Sequence, residues 1–330
     1  MSAMSPEPTP LVWCIDVEPD SRLIDPQVPE PWEGYEKTVA LFRTLRPWLT
    51  QQTGRQPHFS WYYRLDPQVE HTYGKSSWPL TSYAAEVEEL LACGDEIGVH
   101  PHPYRFDKQI ETWVADFGDQ SWVEHCVRLC FDSFRGALGR RCSSFRFGDA
   151  WLNDPTLRLV EKLGARFDLT LEPGATSRPA LSPHEYWTGR FPDHTHIPST
   201  PYRPSPHDYR EPEATRRDGI LMLPITTAPR TGAVNLAYEL AFRAVHRCAP
   251  QPVSRLNVAA PGFLFRHLAD RILSQPELPY LGISMRTHTG KIQHAARRMR
   301  QNLSYLFTHR NAPHFAITRP DEAAAALGLD

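Results

Sequence analysis

The residues best suited to chemistry lie in one run, Gly94 to Pro103, which reads G-D-E-I-G-V-H-P-H-P. In extended backbone, side chains two apart point to the same face, so His100 and His102 converge on one spot. Pro101 and Pro103 stiffen the chain that carries them. Converging neutral imidazoles are a standard way to hold a transition metal. The plainer reading is two exposed loop histidines in a chain that has fifteen. A second cluster, Asp16-Val-Glu18-Pro-Asp20, follows a compact apolar run. Its Asp16 and Glu18 share a face by the same period of two. Carboxylates gathered at a strand end are costly unless something cationic sits among them. Here the plainer reading is an acidic turn, with Asp20 capping a helix.

These groups need elements to position them. Leu11 to Ile15 reads as a buried first strand. Apolar positions from Val39 to Leu49 fit a helix over 34–52 with one buried side. An aromatic-rich strand follows over 58–65, then a helix over 82–92 that stops at Gly94. The short run Ile97–Val99 is the strand that delivers the histidines. Residues 104–118 read as an aromatic loop and 122–138 as an amphipathic helix. A strand at 143–147 ends in Gly148-Asp149-Ala-Trp151, and Asn153 caps the next helix. Strands follow at 165–171 and 219–225, separated by a Pro/His/Tyr-rich excursion over 172–218, a length usually reserved for function. Helices at 236–246 and 262–274 lead to a strand at 280–285 that ends in Arg286-Thr-His288. A basic helix over 292–308, a short strand at 315–317 and a helix opened by Pro320 complete the reading. Strand alternating with helix is the pattern of an α/β parallel sheet or barrel. Polar residues recur at successive strand ends: Asp16 and Glu18, His100 and His102, Arg146 and Asp149, Asp168, His288. In a parallel barrel those ends form one rim, where catalytic groups collect.

Composition bounds the rest. Lys plus Arg is 36 against 38 for Asp plus Glu in 330 residues, so net charge points to neither nucleic acid nor an anionic membrane. Six cysteines without C-x-x-C spacing read as free thiols. Residues 1–10 read as a disordered leader with neither the basic nor the apolar region of a signal peptide. No apolar run approaches a membrane span. A cytoplasmic location is the expectation.

Taken in order, the motifs resemble the polysaccharide deacetylase (NodB-homology) family of metal-dependent carbohydrate esterases. Ile15-Asp16-Val17-Glu18 resembles the family's first motif, a strand ending in a catalytic Asp and a metal-binding carboxylate. Gly94-Asp-Glu-Ile-Gly-Val-His100 is similar to its G-H-E-I-G-x-H run. Phe145-Arg146-Phe-Gly-Asp149 resembles the motif whose Arg orients the catalytic Asp, Phe167-Asp168-Leu-Thr the fourth, and Ile283-Ser-Met-Arg-Thr-His288 the strand that ends in a catalytic His. The resemblance implies a distorted (β/α) barrel over 11–330 as a single domain. It implies a divalent ion, zinc in the first place with cobalt, nickel or manganese as alternatives, on Glu18, His100 and His102. It also implies Asp16 as base, oriented by Arg146, and His288 as acid, held by Asp149 or Asp168. The sequence departs from the family in spacing its histidines H-x-H-P, so that Tyr104 stands where the second histidine is usual, and in replacing an adjacent D-D with D-V-E. The implied reaction removes an N- or O-linked acetyl group from a small sugar or glycan conjugate. Trp151, Tyr202 and Tyr104, with Trp187 and Tyr209, are the candidate substrate contacts. A metal-dependent amidohydrolase acting on another linear amide and a non-catalytic glycan-binding descendant are the alternative readings.

Overall fold

Every residue of the first apolar run from Pro10 to Val17 is buried in the computed structural model, which describes residues 7–179, 186–247 and 249–330. The run forms β1 (Thr9–Val17), followed by β2 (Ser60–Tyr63), β3 (Glu96–Val99), β4 (Ser144–Phe145), β5 (Phe167–Asp168), β6 (Leu221–Met222), β7 (Leu281–Arg286) and β8 (Phe315–Thr318). All of them belong to one sheet in the order β7-β1-β2-β3-β4-β5-β6, with β8 also against β1. Every pairing is parallel. The open seam between β6 and β7 is bridged by Thr226, whose N–H donates to the Gly282 carbonyl at 2.8 Å and whose hydroxyl accepts from the Gly282 N–H at 2.9 Å. The sheet is therefore curled nearly shut, the distorted (β/α) barrel expected of the chain.

The helices α1 (Glu33–Thr53), α2 (Ala84–Ala92), α3 (Gln120–Leu138) and α4 (Asp154–Lys162) lie between successive strands. Strand parity decides what faces them. On β1, Leu11, Trp13, Ile15 and Val17 join the large core cluster under the helices, where Trp13 meets Phe42 and Phe59 edge-on. Val12 and Cys14 pack inside the barrel with Tyr62, Leu223 and Tyr280. Asp16, two residues on from Cys14, continues this inner row to the mouth. On β3 the inner row is Gly98 and then His100. A Cβ at Gly98 would lie 2.5 Å from the Ser144 carbonyl and 2.7 Å from the Tyr62 ring, so glycine there makes room for the tyrosine that fills the barrel.

Several boundaries differ from the sequence expectation. β1 starts at Thr9 because Thr9 and Pro10 pair with Phe315 and Ala316; leader residues 1–6 lie outside the described residues, as does Cys248. The presumed loop after the histidines contains an antiparallel hairpin, Tyr104–Asp107 with Thr112–Asp116, joined by Tyr186–Thr188 from the excursion. Tyr104, Trp113 and Ala115 are its buried positions, a period-two pattern too short to stand out among so many aromatics. β4 and β5 shrink to two residues each. At this point the Phe147 N–H donates to the Thr170 hydroxyl at 2.8 Å in place of a ladder carbonyl. Among the described residues, no helix is long and apolar enough to cross a membrane.

Candidate metal centre and active site

At the mouth of the barrel the inner rows of β1, β3, β4 and β7 end in Asp16 and Glu18, His100 and His102, Arg146, and Arg286. They line a cavity of about 310 Å³. His100 and His102 face each other with Nε2 atoms 3.3 Å apart. The carboxylate oxygens of Glu18 lie 3.5 Å from Nε2 of His100 and 3.6 Å from Nε2 of His102. All three side chains are buried.

The opposite edge of the His100 ring fixes its tautomer. Nδ1 of His100 lies 2.8 Å from the Arg146 carbonyl, which can only accept, so Nδ1 carries the proton. Nδ1 of His102 lies 3.2 Å from the Asp149 carboxylate. Burial pushes the His102 imidazole down to about 4 despite that neighbour, keeping the ring neutral at physiological pH. The Nε2 lone pair of His100 therefore faces Nε2 of His102 across 3.3 Å, with the Glu18 carboxylate beside both. A divalent cation at that point would be met by all three groups. The donor set of two imidazoles and a carboxylate, each imidazole with an outer partner, is the set zinc takes in catalytic sites. The residues fit the ion.

Around this cluster the sheet places ion pairs. Arg146 donates from Nε to Oδ1 of Asp16 at 2.7 Å and from Nη1 to the Leu169 carbonyl at 2.5 Å. Burial alone would raise the Asp16 carboxyl; the Arg146 guanidinium, helped by His100, overrides it and holds the group below the usual carboxylate range. Glu18 is likewise opposed by burial and brought well below that range by Arg286 and the histidines. Arg286 reaches Oε2 of Glu18 at 2.7 Å, and the Thr287 hydroxyl lies 3.2 Å from both the N–H and the carbonyl oxygen of Glu18. Asp149 takes a bidentate pair from Arg22, with both bonds at 2.7 Å. Asp149 and Ala150 hold φ of 57° and 53°, a left-handed conformation that is costly away from glycine. A Cβ on the preceding Gly148 would fall 2.3 Å from the His102 ring, so the turn grips that ring closely.

The structure thus brings together Asp16, Glu18, His100, His102, Arg146 and Asp149, and leaves the other predicted residues outside. His288 is not in the cavity. The register Asp16↔Arg286 puts Arg286 on the inner row, and a tight helical turn over Thr287–Lys291 then leaves His288 exposed. Neither Asp149, engaged with Arg22 and His102, nor Asp168 holds it. Asp168 pairs in register with Phe145, an outward position, so it faces away from the barrel interior and accepts from the Thr170 N–H at 2.9 Å and the Thr170 hydroxyl at 3.0 Å. The candidate substrate aromatics are buried in packing and do not line the cavity. Tyr104 stacks on His102 with ring centroids 5.5 Å apart, Trp151 packs on Phe117 and Phe147, and the Tyr202 hydroxyl donates to the Tyr209 carbonyl. Tyr209 is buried and Trp187 packs on Phe117. Among the described residues, Phe191 is the phenyl side chain that does reach the cavity.

Sequence reading missed Arg22, Glu172, Arg178, Arg255 and Arg286, all of them in the lining. Arg286 had a signal, since it ends the strand and lies two residues before the favoured histidine. It also missed Asp66, which accepts from the His102 N–H at 3.0 Å and is buried against Arg64.

Asp168 provides a test by pH. Burial pushes its carboxyl up to about 7 from an ordinary value of 3.8. Between those values the folded chain binds a proton that the unfolded chain has lost, so this group's contribution to stability falls as pH rises and levels off above about 7. Asp168→Asn removes the titration. Its stability relative to the parent should therefore improve by roughly 2–3 kcal/mol between pH 5 and pH 8. Urea unfolding of both proteins at the two pH values measures it; an unchanged difference would return Asp168 to an ordinary carboxylate.

No family model matches the sequence, and no curated protein matches it. Solved structures similar to this chain include a Mycobacterium smegmatis protein assigned to the polysaccharide deacetylases, at 11% identity and a TM-score of 0.49, covering 99% of this chain and 94% of that one. They also include an allantoinase at 12% identity and a TM-score of 0.47, covering 96% and 89%. A Pseudomonas aeruginosa protein assigned to the polysaccharide deacetylases matches at 12% identity and a TM-score of 0.46, covering 96% and 90%.

Proposed function

We propose that this chain is a metal-dependent deacetylase of the polysaccharide deacetylase (NodB-homology) type, removing an N- or O-linked acetyl group from a small sugar or glycan conjugate. The observation that carries the reading is the opposed pair of Nε2 atoms closed by a buried carboxylate. Glu18, His100 and His102 would hold a divalent ion such as zinc, which would supply Lewis acidity toward an acyl oxygen and lower the pKa of water toward about 7.

The chain's own groups do the rest. Asp16, ionised and aimed by Arg146, accepts the proton as the water oxygen adds to the acyl carbon. The bond from that carbon to the amine or alcohol then breaks, acetate forms, and the leaving group takes a proton. Asp16, now carrying a proton inside the cavity, is the donor for that step; His288 contributes no lining atom and is assigned no transfer. Arg146 keeps the base fixed throughout by donating from Nε to Oδ1 and from Nη2 to Oδ2 of Asp16. The Asp149 carboxylate lies 3.2 Å from Nδ1 of His102, and Arg22 keeps Asp149 ionised.

Metal analysis tests the reading. Protein purified without chelator should carry one equivalent of zinc or a similar ion. His100→Ala and His102→Ala should each lower its affinity by more than the roughly 10- to 100-fold that loss of an outer-shell partner costs. Full metal content in His102→Ala would remove the H-x-H assignment. A metal-free parent that still bound glycans would favour the non-catalytic alternative.

A further inference from the structure

The helix α5 (Gly232–His246) follows β6, and none of its residues is buried. Its inward side, Val234, Tyr238 and Phe242, is half-buried, and the Arg230 guanidinium lies 4.2 Å from the centre of the Tyr238 ring. Tyr238 and Phe242 share a cavity wall with Gln251 and Arg255, two residues that also line the cavity of the metal cluster, so the helix stands at the mouth. Its outward side carries Ala233, Leu236, Ala237, Leu240 and Ala244, the spacing of one helical face, and all of them are exposed. Leu236 and Leu240 are 60% and 62% exposed. A surface helix ordinarily turns its apolar face toward the core. This one turns an apolar face outward.

Outside α5, the large apolar side chains that stand exposed among the described residues share this placement. Leu23 and Val28 follow β1, Ile110 lies in the turn of the hairpin after β3, Tyr186 pairs onto that hairpin, and Ile292 follows β7. Phe263, 62% exposed, opens α6 (Gly262–Leu273) one turn before His267, whose Nε2 accepts from the Thr231 N–H beside α5. Each belongs to a segment that leaves the carboxyl end of a strand, the end at which the metal cluster sits. Among the described residues, no such side chain is exposed in the connections that return from helix to strand. Charge singles out the α5 side of this rim. Arg243 and Arg247 are exposed and have no ion pair among the described residues. Glu239 lies on the half-buried side of the helix and accepts from Nδ2 of Asn235 at 3.2 Å. The exposed acids Asp25, Glu30 and Glu111 accompany Leu23, Val28 and Ile110 instead.

We propose that this end of the barrel docks on an anionic lipid surface, with the outward face of α5 and Phe263 at the boundary between headgroups and acyl chains, and with Arg243 and Arg247 at the phosphates. Leucine and phenylalanine beside arginines whose stems reach past them are the composition of helices that lie in that boundary. The exposed apolar side chains are spread over several connections around one opening. A fluid bilayer accepts such a ring without the shape match that a rigid partner needs. The small net charge of the chain averages its whole surface and does not register this local face. Docking stands on the surface alone. Its consequence for the substrate rests on the deacetylase reading: the docked mouth faces the membrane, and the substrate class narrows to acetylated conjugates carried on a lipid.

The test is sedimentation of the full chain with vesicles of phosphatidylcholine, and of phosphatidylcholine mixed with phosphatidylglycerol. The protein should pellet with the mixed vesicles, less with phosphatidylcholine alone, and less again at high salt. Leu236→Glu combined with Leu240→Glu should lower partitioning by roughly 10- to 100-fold. Arg243→Gln and Arg247→Gln should each lower it by roughly fivefold, on the mixed vesicles only. Aryl acetate turnover without vesicles should be unchanged in all of these variants. Urea unfolding checks that they fold; if the glutamates unfold the helix, Leu236→Ala with Leu240→Ala reads the same loss at smaller size. A parent that stays in the supernatant with the mixed vesicles, or partitioning equal in parent and leucine variants, would overturn the proposal. So would light scattering that shows a dimer split by the leucine substitutions in a protein that binds no vesicle, which would make this face a contact between copies. Zinc content and turnover are scored on the same preparations. Their failure strikes the metal-dependent reading and leaves docking standing, whereas failed sedimentation strikes docking alone.

Discussion

Asp16→Asn is expected to keep its zinc and to lose aryl acetate turnover by roughly 10²–10⁴-fold, the range a positioned general base supplies. Asp16 is 3% exposed and sits beside the ligand cluster with both oxygens turned to Arg146. Asparagine keeps its size and can still accept from Nε of Arg146, but it cannot take a proton from water. Glu18→Gln should behave in the opposite way. Its carboxylate faces both imidazoles, so loss of its charge weakens the metal itself and activity falls in consequence. Elemental analysis and aryl acetate hydrolysis on the same preparations separate the two. Zinc lost from Asp16→Asn but retained in Glu18→Gln would exchange the roles.

Arg146→Met should destabilise the chain by roughly 3–5 kcal/mol, because it leaves a buried carboxylate without its partner. Arg146 is 2% exposed, and the same change orphans the Leu169 carbonyl. Most of the cost should be electrostatic. Adding Asp16→Asn to Arg146→Met is therefore expected to recover a large part of it, a coupling that a double-mutant cycle in urea reads directly. If the double variant is as unstable as the two single losses summed, the arginine acts through packing and not as the counter-charge of Asp16.

The sheet and half of the site were legible because parity is legible. An apolar run ending in D-x-E, and another ending in H-x-H, state which side chains share a face. The barrel closed as the order of those runs required, and Asp16, Glu18, His100, His102 and Arg146 met at its mouth. The same rule failed at His288 and Asp168 for two different reasons. At His288 the extended backbone ends at Arg286, and a turn carries the histidine off the inner row. At Asp168 the residue stays in the strand but in the outward phase, which is set by its pairing with Phe145 and invisible in its own sequence. Of the arginines that line the cavity, Arg22 and Arg178 come from irregular segments and Arg255 from a short strand, with no local pattern to announce them. The aromatics expected as substrate contacts are taken up in packing: Tyr104 on His102, Trp151 and Trp187 on Phe117, and Tyr202 bonded to the Tyr209 carbonyl.

The placement of β1 has a kinetic consequence. Its neighbours are β2 on part of one edge, β8 on another part of it, and β7 from Leu11 to Asp16 on the other edge. Glu18 is held by Thr287, a residue 269 positions away. Closing so large a loop is slow, and contacts of that separation mark the late steps of folding. Until residues 281–318 arrive, β1 has one full edge and part of the other open to stray pairing, an aggregation hazard for an apolar strand. The Glu18 carboxylate is positioned only when that closure is complete. A metal held by Glu18, His100 and His102 would therefore be bound at the end of folding, as a check on the finished barrel and not as the nucleus from which the barrel grows.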